Sequence, residues 1–152
     1  MRARQGMTRP QTVLAFDFGL KRIGIAGGDT LTRHAAARAA AAVHRGIPDW
    51  EVIAREVRAL APAVLVVGAP YNVDGSEGTL LAAARRFAAE LERRFALPVQ
   101  LVDERFSSLE ASETLKQRRA SGARGRIERG AIDSAAAAVI LGRWFQGEGE
   151  GT

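Results

Sequence analysis

Residues 63–68 read AVLVVG, a short run that contains no polar side chain. A short run rich in valine and leucine is typical of a strand that is buried on both faces of a sheet. Two amphipathic helices are predicted around it. One opens at Pro48-Asp49, and the other carries an apolar stripe from Leu80 to Phe95. The sequence therefore predicts an α/β fold in which helices cover both faces of a sheet.

The remaining elements set the kind of sheet. Further strands are predicted at residues 12–19 (TVLAFDFG), 22–29 (RIGIAGGD), 32–43 and 98–103 (PVQLVD). Further helices are predicted from Ser107 to about residue 122 and over residues 131–146. Three antiparallel strands followed by strand–helix–strand units predict a five-stranded mixed sheet.

Length and composition limit the class of protein. A chain of 152 residues fits one domain, expected over residues 12–146, with flexible termini at 1–11 and 147–152. The absence of cysteine excludes a disulfide framework and a zinc–thiolate site. No apolar run approaches the ~20 residues of a membrane span, and the first residues lack the apolar region of a signal peptide. We expect a cytoplasmic protein without a membrane partner.

The charge balance favours an acidic partner. Lys plus Arg number 22 and Asp plus Glu number 17, so the net charge is +5. Only Lys21 and Lys116 are lysines, and the planar guanidinium of arginine suits phosphate oxygens. This indicates a nucleic-acid partner, but an alanine- and arginine-rich chain also reflects a GC-rich genome. Charge alone does not decide between these interpretations.

Three carboxylates occur where apolar elements end. Asp17 closes a strand that is apolar on both faces, and Glu104 directly follows the strand of residues 98–103. Asp133 falls in the first turn of the last predicted helix, in line with Ile140 on the face that must pack against the sheet. Oxygen ligands without histidine or cysteine suit Mg²⁺ or Mn²⁺. Such ions activate water and stabilise the leaving oxygen in phosphodiester hydrolysis.

Each carboxylate also has a purely structural interpretation. Asp17 could form an ion pair with Lys21 or Arg22, because a buried charge without a partner is costly. Glu104 could pair with a neighbouring arginine in the same way. Asp133 could cap the amino end of its helix. The residues by themselves leave these alternatives open.

Four motifs together resemble one family. They are FDFGLKRIGIAGGD, the strand that leads into GAPYNVDGSEG, DERFSS, and IDSAAAAVIL. In this order and spacing they resemble the YqgF/RuvX family over about residues 12–146. Its members are called pre-ribosomal-RNA nucleases and, in older usage, Holliday junction resolvase-like proteins. The resemblance implies a ribonuclease H-like fold, a cytoplasmic location and a part in maturing the 5′ end of small-subunit ribosomal RNA.

The resemblance also assigns roles to residues. It places the catalytic and metal-binding carboxylates at Asp17, Glu104 and Asp133. The expected nucleic-acid contacts are Lys21, Arg22, Asn72, Arg105, Arg124, Arg126 and Arg129. Many members carry a lysine shortly before the final aspartate, where this chain has Arg129. Arg129 would then be the cation near the scissile phosphate, with a different geometry.

Three functions follow from these observations. The leading hypothesis is a metal-dependent endonuclease, a hydrolase of phosphodiester bonds that processes the 5′ end of precursor 16S rRNA. A junction-specific DNA nuclease is an alternative, and resolving a symmetric junction would require a two-fold dimer. A non-catalytic RNA-binding assembly factor is a second alternative. We expect a monomer or a weak homodimer.

Overall fold

The computed structural model of the chain describes residues 10–69, 78–103 and 129–151. The strands are β1 (Thr12–Asp17), β2 (Arg22–Asp29), β3 (Ala35–Ala37), β4 (Ala41–His44), β5 (Ile47–Pro48), β6 (Val64–Ala69) and β7 (Val99–Asp103). The helices are α1 (Trp50–Leu60), α2 (Thr79–Phe95) and α3 (Arg129–Gly151). The helix predicted from Ser107 lies outside the described residues, as does most of the loop after β6.

The sheet is mixed, as predicted. Its order is β5-β4-β2-β1-β6-β7, and β3 also pairs with β2. β1 and β2 are antiparallel, whereas β1, β6 and β7 run parallel to one another. The carboxyl ends of β1, β6 and β7 therefore meet at one edge of the sheet. In open α/β sheets this edge is where ligands usually bind.

The predicted third strand is divided in two and β5 is an additional strand, so the sheet is seven-stranded instead of five-stranded. In place of one strand over residues 32–43, β3 and β4 each pair separately with β2. The break includes Arg38, whose Nε donates to Glu56 Oε1 of α1 at 2.6 Å. This ion pair connects the break to α1. The alanine-rich sequence around Arg38 has little strand preference, which agrees with a break there.

Helix α1 begins and ends as its sequence predicts. Asp49 Oδ1 accepts hydrogen bonds from the amides of Glu51 at 3.2 Å and Val52 at 3.4 Å, which satisfies two free donors of the first turn. Ala61 has a φ of 46°, a left-handed conformation that ends the helix before Pro62.

Two apolar cores lie on opposite faces of the sheet. One core joins β1, β2 and β6 to α1 and α2, and its buried residues include Phe16, Ile25, Val67, Phe87 and Leu91. The other joins the same strands to α3, and its buried residues include Val13, Ala15, Val66, Ile140 and Phe145. Helices thus cover both faces, as the apolar run of residues 63–68 predicts. Successive side chains of a strand alternate between the two cores.

Helix α3 is longer than predicted at both ends. It starts at Arg129 instead of residue 131 and ends at Gly151 instead of residue 146. The glycines after Gln146 weaken helix propensity, which is why the sequence predicts an earlier end. Among the described residues, no helix is long and apolar enough to cross a membrane.

Candidate active site

Asp17 is the last residue of β1 and is 7% exposed. Val13 and Ala15 of the same strand pack against α3. Strand alternation therefore directs the Asp17 side chain to the α3 face of the sheet. Its partner in the antiparallel pairing with β2 is Gly24.

Gly24 lets α3 come close to Asp17. A Cβ placed on Gly24 would lie 1.9 Å from the backbone oxygen of Asp133 and 2.6 Å from the backbone nitrogen of Ser134. The backbone of α3 thus fills the space where a side chain would be. Since Gly24 pairs with Asp17, this contact brings Asp133 to the carboxyl end of β1. Two of the three predicted residues, Asp17 and Asp133, therefore lie at the same end of the sheet.

Ser134 stabilises the same contact between α3 and β2. The sequence did not predict this role. Ser134 is 2% exposed, and its Oγ accepts a hydrogen bond from the backbone amide of Ile25 at 3.4 Å. The bond ties α3 to β2 one residue beyond Gly24. A small polar residue beside Asp133 in an alanine-rich helix is the signal that could have identified it.

Asp133 forms an ion pair with Arg22, with Nε and Oδ2 2.7 Å apart. Their side chains are 32% and 25% exposed, so the pair borders solvent. The structure changes two interpretations that were made from the sequence. Because α3 starts at Arg129, Asp133 lies beyond the first turn and is not the helix cap. Arg22, considered as a partner for Asp17, bonds to Asp133.

Lys21 lies in the turn between β1 and β2, and its side chain is exposed. Its backbone oxygen accepts a hydrogen bond from the amide of Val43 at 2.8 Å, which ties the turn to β4. The ammonium group is therefore carried on a turn that is held in place beside Asp17.

The third predicted carboxylate, Glu104, follows β7 in the sequence. Glu104 lies outside the described residues, as do Asn72, Arg105, Arg124 and Arg126. Arg129 begins α3, and its side chain is likewise not described. The strand before Glu104 is placed, however: β7 ends at Asp103, beside Ala69 of β6. Gln100 Oε1 accepts a hydrogen bond from Trp144 Nε1 of α3 at 2.8 Å, so the even-numbered residues of β7 face α3.

The donor set suits a hard divalent cation. Asp17 and Asp133 offer carboxylate oxygens at one sheet edge, as Mg²⁺ and Mn²⁺ prefer. Within residues 10–69, 78–103 and 129–151, no group of three or more acidic, histidine or cysteine side chains could hold a metal ion.

The fold is that of the RuvC-like resolvases, which share the ribonuclease H-like architecture. The structure superposes on Thermus thermophilus RuvC, solved with a Holliday junction substrate, with a TM-score of 0.52 and 16% sequence identity. That match covers 92% of this chain and 96% of the RuvC chain. The fowlpox virus resolvase, solved with Holliday junction DNA, gives a TM-score of 0.54 and 13% identity, covering 90% and 98% of the two chains.

Sequence comparison identifies the family. The family model described as "RuvX: Holliday junction resolvase" matches residues 11–147. A Coxiella burnetii protein named "Putative pre-16S rRNA nuclease" is 47% identical over 133 residues, covering 88% of this chain and 91% of the relative. One of the same name from Edwardsiella ictaluri is 42% identical over 139 residues, covering 91% and 97%. The chain belongs to the RuvX family, which confirms the resemblance seen in its motifs.

Proposed function

We propose that this chain is a metal-dependent endonuclease that hydrolyses phosphodiester bonds of precursor 16S rRNA in the cytoplasm. The observation that carries the proposal is the meeting of Asp17 and Asp133 at Gly24, at the carboxyl edge of the sheet. The substrate is proposed from the name of the relatives at 41–47% identity, "Putative pre-16S rRNA nuclease". The net charge of +5 supports an anionic polymer as substrate.

Asp17 and Asp133 would hold a divalent ion together with Glu104. The position of Glu104 in the sequence supports this role, because it directly follows β7, whose last residue pairs with Ala69 at the end of β6. When bound, the ion would lower the pKa of an attacking water and stabilise charge on the leaving oxygen. The burial of Asp17 limits competition from bulk water at its carboxylate.

Arg22 would serve both the carboxylates and the substrate. Its Nε–H is used by Asp133, whereas a guanidinium has five N–H donors in all. The remaining donors can reach a phosphate oxygen at the border of the site, beside the exposed Lys21. This role keeps Arg22 among the nucleic-acid contacts and adds the positioning of Asp133.

The test is cleavage of a precursor 16S rRNA fragment that spans the 5′ processing site, with Mg²⁺ or Mn²⁺ present. We expect Asp17→Asn to lower the cleavage rate by more than about 100-fold, because it removes a ligand charge and leaves the shape unchanged. RNA binding, and the melting temperature measured without metal, should stay near wild type. Asp29→Asn at the far end of β2 is the matched control and should cleave normally.

Unchanged cleavage by Asp17→Asn would overturn the assignment. RNA binding by the wild-type protein without turnover would favour the non-catalytic assembly factor. Faster cleavage of a four-way DNA junction than of the RNA would favour the junction nuclease, which also requires a two-fold dimer. The expected monomer or weak homodimer stays a prediction, and sedimentation measures it.

A further inference from the structure

A groove lies on the other side of the sheet edge from the carboxylates. It has a volume of about 510 Å³ and lies between the β1–β2 turn, the β4–β5 hairpin and α2. This volume is in the range of small-molecule sites, which are mostly apolar with a few polar groups. Among the described residues, the charged side chains that line it are Arg86, Glu90 and Arg94.

The apolar wall of the groove is aromatic. The rings of Trp50 and Phe87 are stacked with centroids 5.6 Å apart, and Phe18 lies 5.3 Å from Phe87. The guanidinium carbon of Arg94 lies 4.1 Å from the centroid of the Trp50 ring. Phe87 is 4% exposed, whereas the Arg94 side chain over Trp50 is 41% exposed. Guanidinium planes are surfaces on which unpaired bases stack.

Two exposed aliphatic residues also line the groove. Leu20 is 67% exposed in the β1–β2 turn, and Ile47 is 65% exposed in β5. Scattered exposed aliphatic residues are ordinary on protein surfaces. Here two of them line one groove beside an aromatic cluster, so a ligand could bury them together.

The groove is connected to the candidate active site through consecutive residues. Asp17 is directed toward α3, whereas Phe18 packs with the core of α1 and α2 and lines the groove. Lys21, in the turn that joins them to β2, is exposed. A strand of nucleic acid that passes the Asp17 carboxylate would therefore meet a lysine and then the groove.

We infer that this groove binds an unpaired base of the RNA substrate, next to the nucleotides at the carboxylates. The inference deepens the proposed function and rests on it. Arg94 forms an ion pair with Glu90, with Nε and Oε2 2.7 Å apart, so Arg86 supplies the positive charge that suits the phosphate of the same nucleotide.

Binding can be measured with the chain's own fluorescence. The chain has two tryptophans, and Trp144 lies on α3, on the opposite face of the sheet. Trp144→Phe leaves Trp50 as the reporter in the groove, and Asp17→Asn prevents cleavage during titration. We expect a short single-stranded oligoadenylate to quench Trp50 fluorescence with saturation. With Trp50→Phe in place of Trp144→Phe, the remaining signal should change little.

Substitutions at exposed positions test the groove without disturbing the core. Ile47→Asp places a carboxylate in the groove and should weaken oligoadenylate binding by about tenfold or more. Leu31→Asp is the matched control, because Leu31 is 72% exposed and lies in the turn after β2. Its affinity should stay within about twofold of wild type. Arg86→Glu on α2 and Arg55→Glu on α1 form a second pair with equal charge changes.

The outcomes separate the inference from the proposed function. Equal affinities for Ile47→Asp and Leu31→Asp, or no quenching of Trp50, would overturn the inference while RNA cleavage by the wild type could stand. A dimer in sedimentation that Ile47→Asp dissociates, with RNA affinity unchanged, would show a protein interface and also overturn it. Selective loss of RNA binding in Ile47→Asp and Arg86→Glu supports the groove, even if the wild type proves inactive in cleavage.

Discussion

At position 24 the chain has no side chain, and the backbone of α3 occupies the space where one would lie. Ala26, the next position on the α3 face of β2, carries a side chain that packs in the core against α3. The missing Cβ therefore acts locally, at the one point where Asp133 must approach the end of β1. A glycine is needed here for close approach, since its φ does not lie in the left-handed region.

Gly24→Ala should damage both stability and activity. The added Cβ would meet backbone atoms of Asp133 and Ser134, which cannot rotate away, so we expect a loss of about 1–3 kcal/mol in the free energy of unfolding. Cleavage should fall by at least about tenfold, because a small misplacement of a catalytic group is costly. Urea unfolding and the RNA cleavage assay measure the two effects.

Gly142→Ala is the matched control within α3. A Cβ at Gly142 meets nothing within 4 Å, and alanine favours a helix interior over glycine by about 1 kcal/mol. This variant should be as stable as wild type or more so, and fully active. Equal stability of Gly24→Ala and Gly142→Ala would contradict the role given to position 24.

The sequence predicted some side-chain positions but not their partners. Alternation within β1 was enough to put Asp17 on a buried face, and helical spacing put Asp133 on the packing face of the last helix. The ion pair between Arg22 and Asp133 was not foreseen, because it joins residues 111 positions apart and depends on how closely α3 approaches β2. Ser134 was missed for the same reason.

At the scale of elements, the turn after β2 is held by one carboxylate. Asp29 Oδ1 accepts hydrogen bonds from the amides of Leu31 at 2.9 Å and Thr32 at 2.8 Å. The Thr32 hydroxyl also donates to it, at 3.3 Å. The hydrogen bond from the Thr32 amide is the main reason that the pKa of Asp29 lies below its ordinary value of 3.8. The turn carries the chain from β2 toward β3.

This shift predicts a pH-dependent contribution to stability. A carboxylate whose pKa is lower in the folded than in the unfolded state stabilises the fold above its unfolded pKa. That contribution disappears as the pH falls through the folded pKa. Wild type should melt above Asp29→Ala at pH 5 and higher, and the gap should shrink below about pH 4. A gap that stays constant from pH 7 to pH 3 would contradict this account; thermal melts followed by circular dichroism measure it.

Local pattern was a good guide where it was strong. The strand predicted over residues 22–29 matches β2 in full, and Asp49 caps α1 as expected. The pattern failed over residues 32–43, where the alanines have little strand preference and the chain forms two short strands, β3 and β4. The end of α3 was predicted too early, because glycine has a low helix propensity but the helix continues through the glycines after Gln146.

At the scale of the whole molecule, one edge of the sheet carries a candidate site on each of its two faces. The α3 face carries Asp17 and Asp133, and the α1 and α2 face carries the groove beside Phe18. The parallel strands β1, β6 and β7 end together at this edge, which is a consequence of topology and not of any one residue. The order of strands and helices was therefore enough to predict that these strand ends meet. Glu104 and the predicted loop contacts lie outside the described ranges.

Divalent metal should stabilise the folded protein through the same carboxylates. A ligand that binds only the folded state raises stability by RT ln(1 + [L]/Kd), which is about 1.4 kcal/mol at ten times Kd. For a chain of this length, that corresponds to a rise of roughly 3–6 °C in the melting temperature. The rise should appear with Mg²⁺ or Mn²⁺ and should level off with concentration.

The site predicts which variants lose this rise. Asp17→Asn and Asp133→Asn should each abolish most of it, since each removes one ligand charge. Asp29→Asn should keep the full rise, because Asp29 pairs with Thr12 at the opposite end of β1 from Asp17. Asp133→Asn also frees Arg22 from its ion pair, so its melting temperature without metal should fall below that of wild type. An equal metal-dependent rise in all three variants would place the ion elsewhere on the chain, and the carboxylates at Gly24 would then have no metal to hold.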